Sequence, residues 1–210
     1  GLGHLTAAGV PRDALIAFRA GNYGASNETW NAMRQVGLAV DSSYNLSYLG
    51  RHCMIRWPEP AADLFEAQPG VWELPITNFT ERTGYRHLEI TAISAAEMIR
   101  ALRMLRRAGV QHVTVVAHPA EFFFIDSIAP ARGRPNRINI GRFRRLLRFL
   151  AAHRDEFIVR TVGDLGRALQ SGSIAAPSAP PEIPRGSAIL RALRLPVQAA
   201  KRIDARFGRI

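Results

Sequence analysis

The sequence has almost no cysteine, almost no lysine and no long apolar run. Cys53 is the single cysteine, which excludes an internal disulfide and any metal site built from several cysteines. Every apolar run is well short of the roughly 18 residues that a membrane-spanning helix needs, and Gly1 does not open a charged-then-apolar signal segment. These absences predict a soluble protein. They leave its compartment open, with the cytoplasm as the default.

The charge is strongly one-sided. The formal net charge is +11 and the pI is about 11.3, and Lys201 is the only lysine, so nearly all of the excess is arginine. Such a balance normally favours a nucleic-acid or anionic-membrane partner. Here much of the arginine falls at solvent-facing helix positions, and no basic stretch is interleaved with aromatic residues. We therefore expect no nucleic-acid partner.

Short apolar runs alternate with helical patterns over the first 170 residues, which predicts an α/β domain with a parallel sheet and crossover helices. Ser94 and Glu97 form a capping-box signature at the start of the clearest helix. Residues 44–68 are polar and broken by proline, so we expect them to run over one face rather than through the core. The predicted strands are 14–18, 38–40, 71–76, 88–91, 113–117 and 157–160, and the predicted helices are 27–36, 95–108, 143–153 and 162–169.

The composition changes after this domain, which we assign to residues 1–170. Residues 171–187 are rich in Ser, Ala, Pro and Gly and are predicted to form a linker. Residues 188–210 form a basic amphipathic tail that Pro196 interrupts. Docking on the domain or disorder is the simplest interpretation of the tail, and peripheral contact with a membrane is the alternative.

Three predicted strands end in polar side chains, namely Arg19, Asp41 and His118. The carboxyl ends of parallel strands meet on one face, which is where such folds place their sites. Each residue alone has a structural explanation: an ion pair, a turn cap or a bond to a carbonyl. Together they offer a basic, an acidic and a titratable group, the set that an acid–base site requires.

The segments FRAGNYGASNETWNAMRQVGLAVDSSYN, VWELPIT and VTVVAHPAEF occur in this order. They resemble the polysaccharide deacetylases that share the NodB homology domain, over approximately residues 9–170. The resemblance implies a distorted (β/α) barrel that removes acyl groups from N-acetylated sugars. In that family a divalent metal, usually zinc, and a carboxylate base activate water. The resemblance also implies a carbohydrate substrate.

The resemblance assigns roles to particular residues. Arg19 matches the arginine that holds the catalytic aspartate in place, and its partner is either an upstream carboxylate or Asp41. His118 matches the histidine that protonates the leaving amine. The substrate-binding candidates are Gly21, Asn22, Tyr23 and Asn45. Many family members have proline and then an aromatic within three residues of the arginine, whereas here Asn22 stands at that spacing.

The family's metal-binding motifs are absent. No two aspartates are adjacent, and none of the six histidines forms a pair one helical turn apart. We therefore expect the chain to be the C-terminal portion of a longer deacetylase-like protein, a barrel incomplete at its N-terminus. It would lack the metal ligands and be inactive alone, since metal-bound water supplies the nucleophile.

Two other functions compete with this hypothesis. One is a catalytically inactive homologue that binds glycan in the same groove, and the other is an arginine-rich accessory protein that acts on membrane or nucleic acid. The incomplete barrel has a further consequence. Unpaired strand edges and uncovered apolar residues at 122–124 would make the isolated chain aggregate or dimerise. The sugar and the oligomeric state stay open.

Overall fold

The structure is a computed structural model that describes residues 1–127, 132–178 and 181–186, together with Ala192 and Arg194. It has mixed helix and strand content, as an α/β fold requires. The helices are α1 Leu2–Ala7, α2 Asn27–Gln35, α3 Ala95–Arg107, α4 Arg137–Ala152 and α5 Val162–Gln170. The strands are β1 Ala17–Phe18, β2 Val40–Asp41, β3 Phe65–Gln68, β4 Val71–Glu73, β5 Asn78–Thr80, β6 Tyr85–His87, β7 Phe123–Ser127 and β8 Arg132–Pro135.

The main sheet has the strand order β1-β2-β4-β3. β1 and β4 both run parallel to β2, while β3 pairs antiparallel with β4. Helix α2 makes the crossover between β1 and β2 and begins after its N-cap residue, Ser26. The predicted strand–helix–strand unit is therefore confirmed. It brings the carboxyl ends of three strands to one edge, where Asp41 lies beside Glu73.

Several predicted strands are shorter than expected or absent. The predicted strands at 88–91 and 113–117 meet only in a single bridge between Glu89 and Val116, and 157–160 forms no strand. β-branched composition shows that a segment tolerates extended backbone, whereas a strand also needs a partner over several residues. The described residues contain no closed barrel.

Helix α3 begins with the predicted capping box, in which the Glu97 amide donates to the Ser94 hydroxyl and the Ser94 amide donates to the Glu97 carboxylate. Helix α4 starts six residues before its predicted first residue because Asn136 caps it, accepting from the Asn139 amide at 3.2 Å. Helix α5 packs on the main sheet through Gly166. A Cβ on this glycine would collide with the Ile16 side chain.

The prediction that residues 44–68 run over the surface is wrong. Tyr44, Ile55 and Leu64 are buried, and Phe65 packs against the rings of Trp30 and Trp57. The apolar residues of this segment have no helical or strand period, so the pattern of the sequence did not reveal a buried face. The segment instead fills the space beside the main sheet as irregular chain.

The C-terminal part of the described chain lies against β5. The Thr80 amide donates to the Pro184 carbonyl at 2.9 Å, and the Gly186 amide donates to the Thr80 carbonyl at 2.7 Å. The predicted tail at 188–210 falls outside the described residues except for Ala192 and Arg194. Helices of the described ranges are all too short or too polar to cross a membrane.

The three phenylalanines predicted to be uncovered differ in their surroundings. Phe122 packs on Phe143, and the guanidinium of Arg134 lies over the ring of Phe124 at 4.2 Å. Phe123 is 55% exposed. The prediction of an uncovered surface therefore holds for one of the three side chains.

Candidate active site

Arg19 follows β1 directly and bonds to the turn after β2. Its Nε donates to the Ser42 carbonyl at 2.9 Å and its Nη2 to the Ser42 hydroxyl at 2.8 Å. The Ser42 hydroxyl donates in turn to the Leu74 carbonyl, just past β4, at 2.8 Å. The residue that Arg19 holds is therefore Ser42, and not Asp41, which was one of the two predicted partners. This chain of bonds ties the ends of three parallel strands together.

The loop after Arg19 has left-handed backbone at two successive residues. Asn22 has φ of 51° and Tyr23 has φ of 59°. Asparagine tolerates this region, whereas a tyrosine there costs about 1–2 kcal/mol. Surrounding contacts must offset that cost, among them a bond from the Ala20 amide to the Ser43 hydroxyl at 3.0 Å. The strained backbone fixes the direction of the Tyr23 ring, while Gly21 and Asn22 stay exposed beside Arg19.

Tyr23 is the first of three aromatic side chains that contact one another in a row. Its ring stacks on Tyr48 with centroids 5.3 Å apart, and Tyr48 lies 5.5 Å from the ring of His87. His87 is buried, and its Nε2 is 2.6 Å from Glu89 Oε2. This hydrogen bond is the main cause of the lowered pKa of Glu89. The row therefore ends in a carboxylate that is held ionised.

His118 lies beside that carboxylate. The bridge between Glu89 and Val116 brings the segment before His118 against the segment that carries Glu89. One nitrogen of His118 and one oxygen each of Glu89 and Glu121 lie within 4.8 Å of one another. Glu121 also accepts from the backbone amide of His118 at 3.0 Å. Burial, with a further contribution from the charge of Glu89, raises the pKa of Glu121, so this carboxyl retains its proton more readily.

Tyr23 connects the loop of Arg19 with the cluster around His118. Burial is the main cause of the raised pKa of the Tyr23 hydroxyl, and the charges of Glu89 and Glu121 raise it further. The positive charge of Arg19 acts in the opposite direction. Tyr23 therefore lies within electrostatic range of both Arg19 and the two carboxylates that flank His118. Contacts from Tyr23 through Tyr48 and His87 to Glu89 link the loop after β1 to the cluster around His118.

Asp41 does not face this region. Its carboxylate is fully buried, where it accepts from the Ser43 hydroxyl at 2.5 Å and from Trp30 Nε1 at 3.2 Å. The same indole nitrogen donates to Glu73 at 3.1 Å, and the Tyr44 amide donates to the other oxygen of Glu73 at 2.9 Å. Burial raises the pKa of both carboxyl groups, and the charge of Asp41 raises that of Glu73 further. Asp41 and Glu73 therefore form an interior pair that favours a shared proton.

Asn45, predicted to bind substrate, is also fully buried. Its side-chain oxygen accepts from the Ser47 amide at 3.1 Å and from the Asn78 side chain at 3.2 Å. The first of these bonds caps the short 3-10 helix at Leu46–Tyr48. Asn45 thus positions Tyr48, which contacts Tyr23, and does not itself reach the surface of the candidate site.

The sequence analysis found the two residues that border the site, and it missed most of the groups between them. Glu89 follows His87 by two residues, a spacing that puts both side chains on one face of extended chain. Glu121 follows His118 by three residues and closes a tight turn onto its amide. Glu73 lies inside the predicted strand 71–76 but ends the observed strand β4, as Asp41 ends β2. Their pairing depends on the sheet register, which the sequence does not display.

Comparison with known proteins identifies no relative of this chain. Protein-family models, curated proteins and solved structures all give no match. The resemblance to polysaccharide deacetylases therefore depends on the three sequence segments quoted above, and the function must be argued from the site itself.

Proposed function

We propose that the chain is part of a polysaccharide deacetylase-like hydrolase that removes acyl groups from N-acetylated sugars. The observation that carries the proposal is the chain of contacts that links the Arg19 loop, through Tyr23, Tyr48 and His87, to the cluster around His118. Arg19 and His118 are exposed, so a sugar can reach them from solvent. The fold we propose for the complete protein is a distorted (β/α) barrel, which the parallel strands β1, β2 and β4 support.

In the proposed reaction, water attacks the acyl carbon of the amide and the carbon–nitrogen bond breaks. The products are a carboxylate and an amine, and the amine nitrogen must gain a proton as it leaves. His118 would supply that proton, and its imidazole lies beside the carboxyl groups of Glu89 and Glu121. A general acid of this kind contributes about 10²–10⁴ to the rate.

Arg19 has a positioning role in this proposal. Two of its N–H groups are bonded to Ser42, which anchors the guanidinium at the strand ends. A guanidinium has five N–H donors in a planar fork, so further donors remain for a carboxylate. Arg19 would therefore hold the carboxylate base that activates water, in the manner the resemblance implies.

The proposed reaction also needs a divalent metal, zinc in the first instance, which lowers the pKa of bound water toward about 7. The imidazole of His118 and the carboxylates of Glu89 and Glu121 are chemically suitable zinc ligands. However, the Glu89 carboxylate already forms a hydrogen bond with His87, and the Glu121 carboxylate accepts one from the His118 amide. These hydrogen bonds hold the cluster together. We therefore keep these residues as acid–base groups and propose that the metal ligands lie outside these 210 residues.

A catalytically inactive homologue that binds glycan is the second candidate. The observation in its favour is the rigid aromatic pair of Tyr23 and Tyr48, which borders the same exposed loop. Aromatic rings with a polar tip suit the apolar faces and hydroxyl groups of sugars. Such a protein would bind an N-acetylated oligosaccharide through this surface without releasing acetate.

The test is acetate release from an oligomer of N-acetylglucosamine by the protein of the complete reading frame. We expect His118→Ala to lower kcat by about 10²–10⁴ and Arg19→Ala to lower it as well, with bound metal retained in both. His4→Ala and Arg82→Ala are matched controls, since both side chains are exposed and lie elsewhere in the chain. Unchanged activity in His118→Ala would overturn the proposal, and binding without acetate release would favour the second candidate.

A further inference from the structure

A groove of about 410 Å³ lies between α3 and α4, and none of its lining residues belongs to the candidate active site. Its apolar floor includes Ile99 and Met104, both half-buried. Its rim is made of arginines, three from one face of α3 and one from α4. These are Arg100, Arg103, Arg107 and Arg145.

The two helices supply almost no negative charge to this groove. Helix α4 has no acidic residue in its 16 positions, and the single acidic residue of α3, Glu97, is buried and paired with Arg194 at 3.0 Å. Within the described ranges, no carboxylate lies within salt-bridge distance of the four rim arginines. By contrast, Arg106 on another face of α3 pairs with Glu156 at 3.4 Å. Positive charge is therefore concentrated in the groove without counter-charge.

One of the rim arginines is held in place. The Arg103 guanidinium lies over the ring of Phe149 at 5.1 Å, which limits its motion and covers that aromatic face. The described residues that line the groove include no aromatic side chain. Nucleic-acid surfaces normally offer aromatic faces on which bases stack, and the groove has none free.

We propose that this groove docks the chain on an anionic phospholipid bilayer. Arginine guanidinium groups bind phosphate oxygens through paired hydrogen bonds, and the aliphatic floor between them suits the first part of an acyl chain. The rim and floor thus match the two parts of an anionic amphiphile in charge and in polarity. This surface is independent of the Arg19 and His118 site, and it would place the enzyme at a membrane.

The test is sedimentation of the full chain with vesicles of phosphatidylcholine, either alone or with about one-third phosphatidylglycerol. The groove variant is Arg100→Gln/Arg107→Gln/Arg145→Gln, which leaves Arg103 on its aromatic ring. We expect the unaltered chain to bind only the anionic vesicles. The groove variant should bind them about a hundredfold more weakly, because each of the three arginines near an anionic surface contributes about a fivefold factor.

The matched control is Arg34→Gln/Arg82→Gln/Arg160→Gln, which removes the same charge from exposed arginines outside the groove. It should bind within a few-fold of the unaltered chain. Residues 188–210 are present in all forms, so binding through that segment would survive in the groove variant and overturn the proposal. Equal losses in both variants, or no binding by the unaltered chain, would also overturn it.

Two further measurements address a groove variant that does not fold and a nucleic-acid ligand in place of a membrane. If the triple variant does not fold, as judged by its thermal melt, the single exposed variant Arg100→Glu must weaken vesicle binding in the same direction, and full retention of binding overturns the proposal. A single-stranded DNA oligonucleotide is the competitor. Tighter binding of the DNA than of the vesicles, lost in the groove variant, would assign the groove to nucleic acid instead.

Discussion

The buried carboxyl pair makes the stability of the fold depend on pH in an unusual direction. Asp41 and Glu73 accept from the same indole nitrogen of Trp30 and are both fully buried. Among the described residues, no basic side chain forms an ion pair with either of them. Two adjacent carboxylates without a cation cannot both ionise cheaply, so the folded state holds a proton between them.

The sign of the effect follows from the raised pKa of both groups. The unfolded chain releases these protons near the ordinary values of 3.8 and 4.5. The folded chain keeps at least one of these protons to higher pH. The resulting stabilisation of the folded state is therefore complete below the pKa values of the unfolded chain. It is lost as pH rises through the folded pKa. A difference of one bound proton makes the free energy of unfolding fall by about 1.4 kcal/mol for each pH unit in that interval.

Glu73→Gln should remove much of this dependence. The amide has no charge, its oxygen can still accept from the Tyr44 amide, and its NH₂ group can donate to Asp41. We expect the variant to be more stable than the unaltered chain at pH 8 and to show a flatter profile between pH 5 and pH 8. The assay is urea unfolding followed by tryptophan fluorescence, and the control is Glu66→Gln, an exposed glutamate on the neighbouring strand β3. Parallel profiles for the Glu73 variant and the unaltered chain would refute the shared proton.

Three other predictions concern packing, metal and assembly. Gly166→Ala should lower the free energy of unfolding by about 1–3 kcal/mol in the same urea assay, because the added methyl group overpacks the contact between α5 and the sheet. The control is Gly163→Ala, where no atom lies closer than 3.7 Å to the added Cβ, and it should change the free energy of unfolding far less. Calorimetric titration of the isolated chain with zinc should show no stoichiometric site, and one equivalent that disappears in Glu121→Gln would contradict this. The chain should associate in sedimentation experiments, because Ile158 and Val159 are 75% and 74% exposed, and a sharp melt of a monomer at low concentration would contradict it.

The local signals in the sequence predicted the local structure well. Ser26 and Ser94 marked the starts of α2 and α3, since a cap is a property of a few neighbouring residues. The strands were harder to predict because the pairing of 113–117 depends on a distant segment, and only one bridge forms. The burial of 44–68 was hidden for a similar reason, as irregular chain follows the shape of the space it fills and leaves no period.

In the candidate site, too, local features could be predicted from the sequence, whereas features that depend on distant residues could not. Arg19 and His118 could be found because each follows a short apolar run, and contacts through Tyr23, Tyr48, His87 and Glu89 link the two in the structure. Asp41 occupies a similar place in the sequence, yet its side chain turns inward to Trp30. A strand-end position therefore predicts where the backbone of a residue lies. It does not predict which way the side chain points when the interior offers a hydrogen-bond donor.

The most direct test of the proposed function is a nuclear magnetic resonance titration of the chain with an oligomer of N-acetylglucosamine. If Arg19 and His118 border one sugar-binding surface, the backbone amides of 19–23 and those of His118, Ala120 and Glu121 should shift together with a single dissociation constant, while those of α3 stay unchanged. Shifts confined to one of the two loops, or none at saturating sugar, would contradict the account.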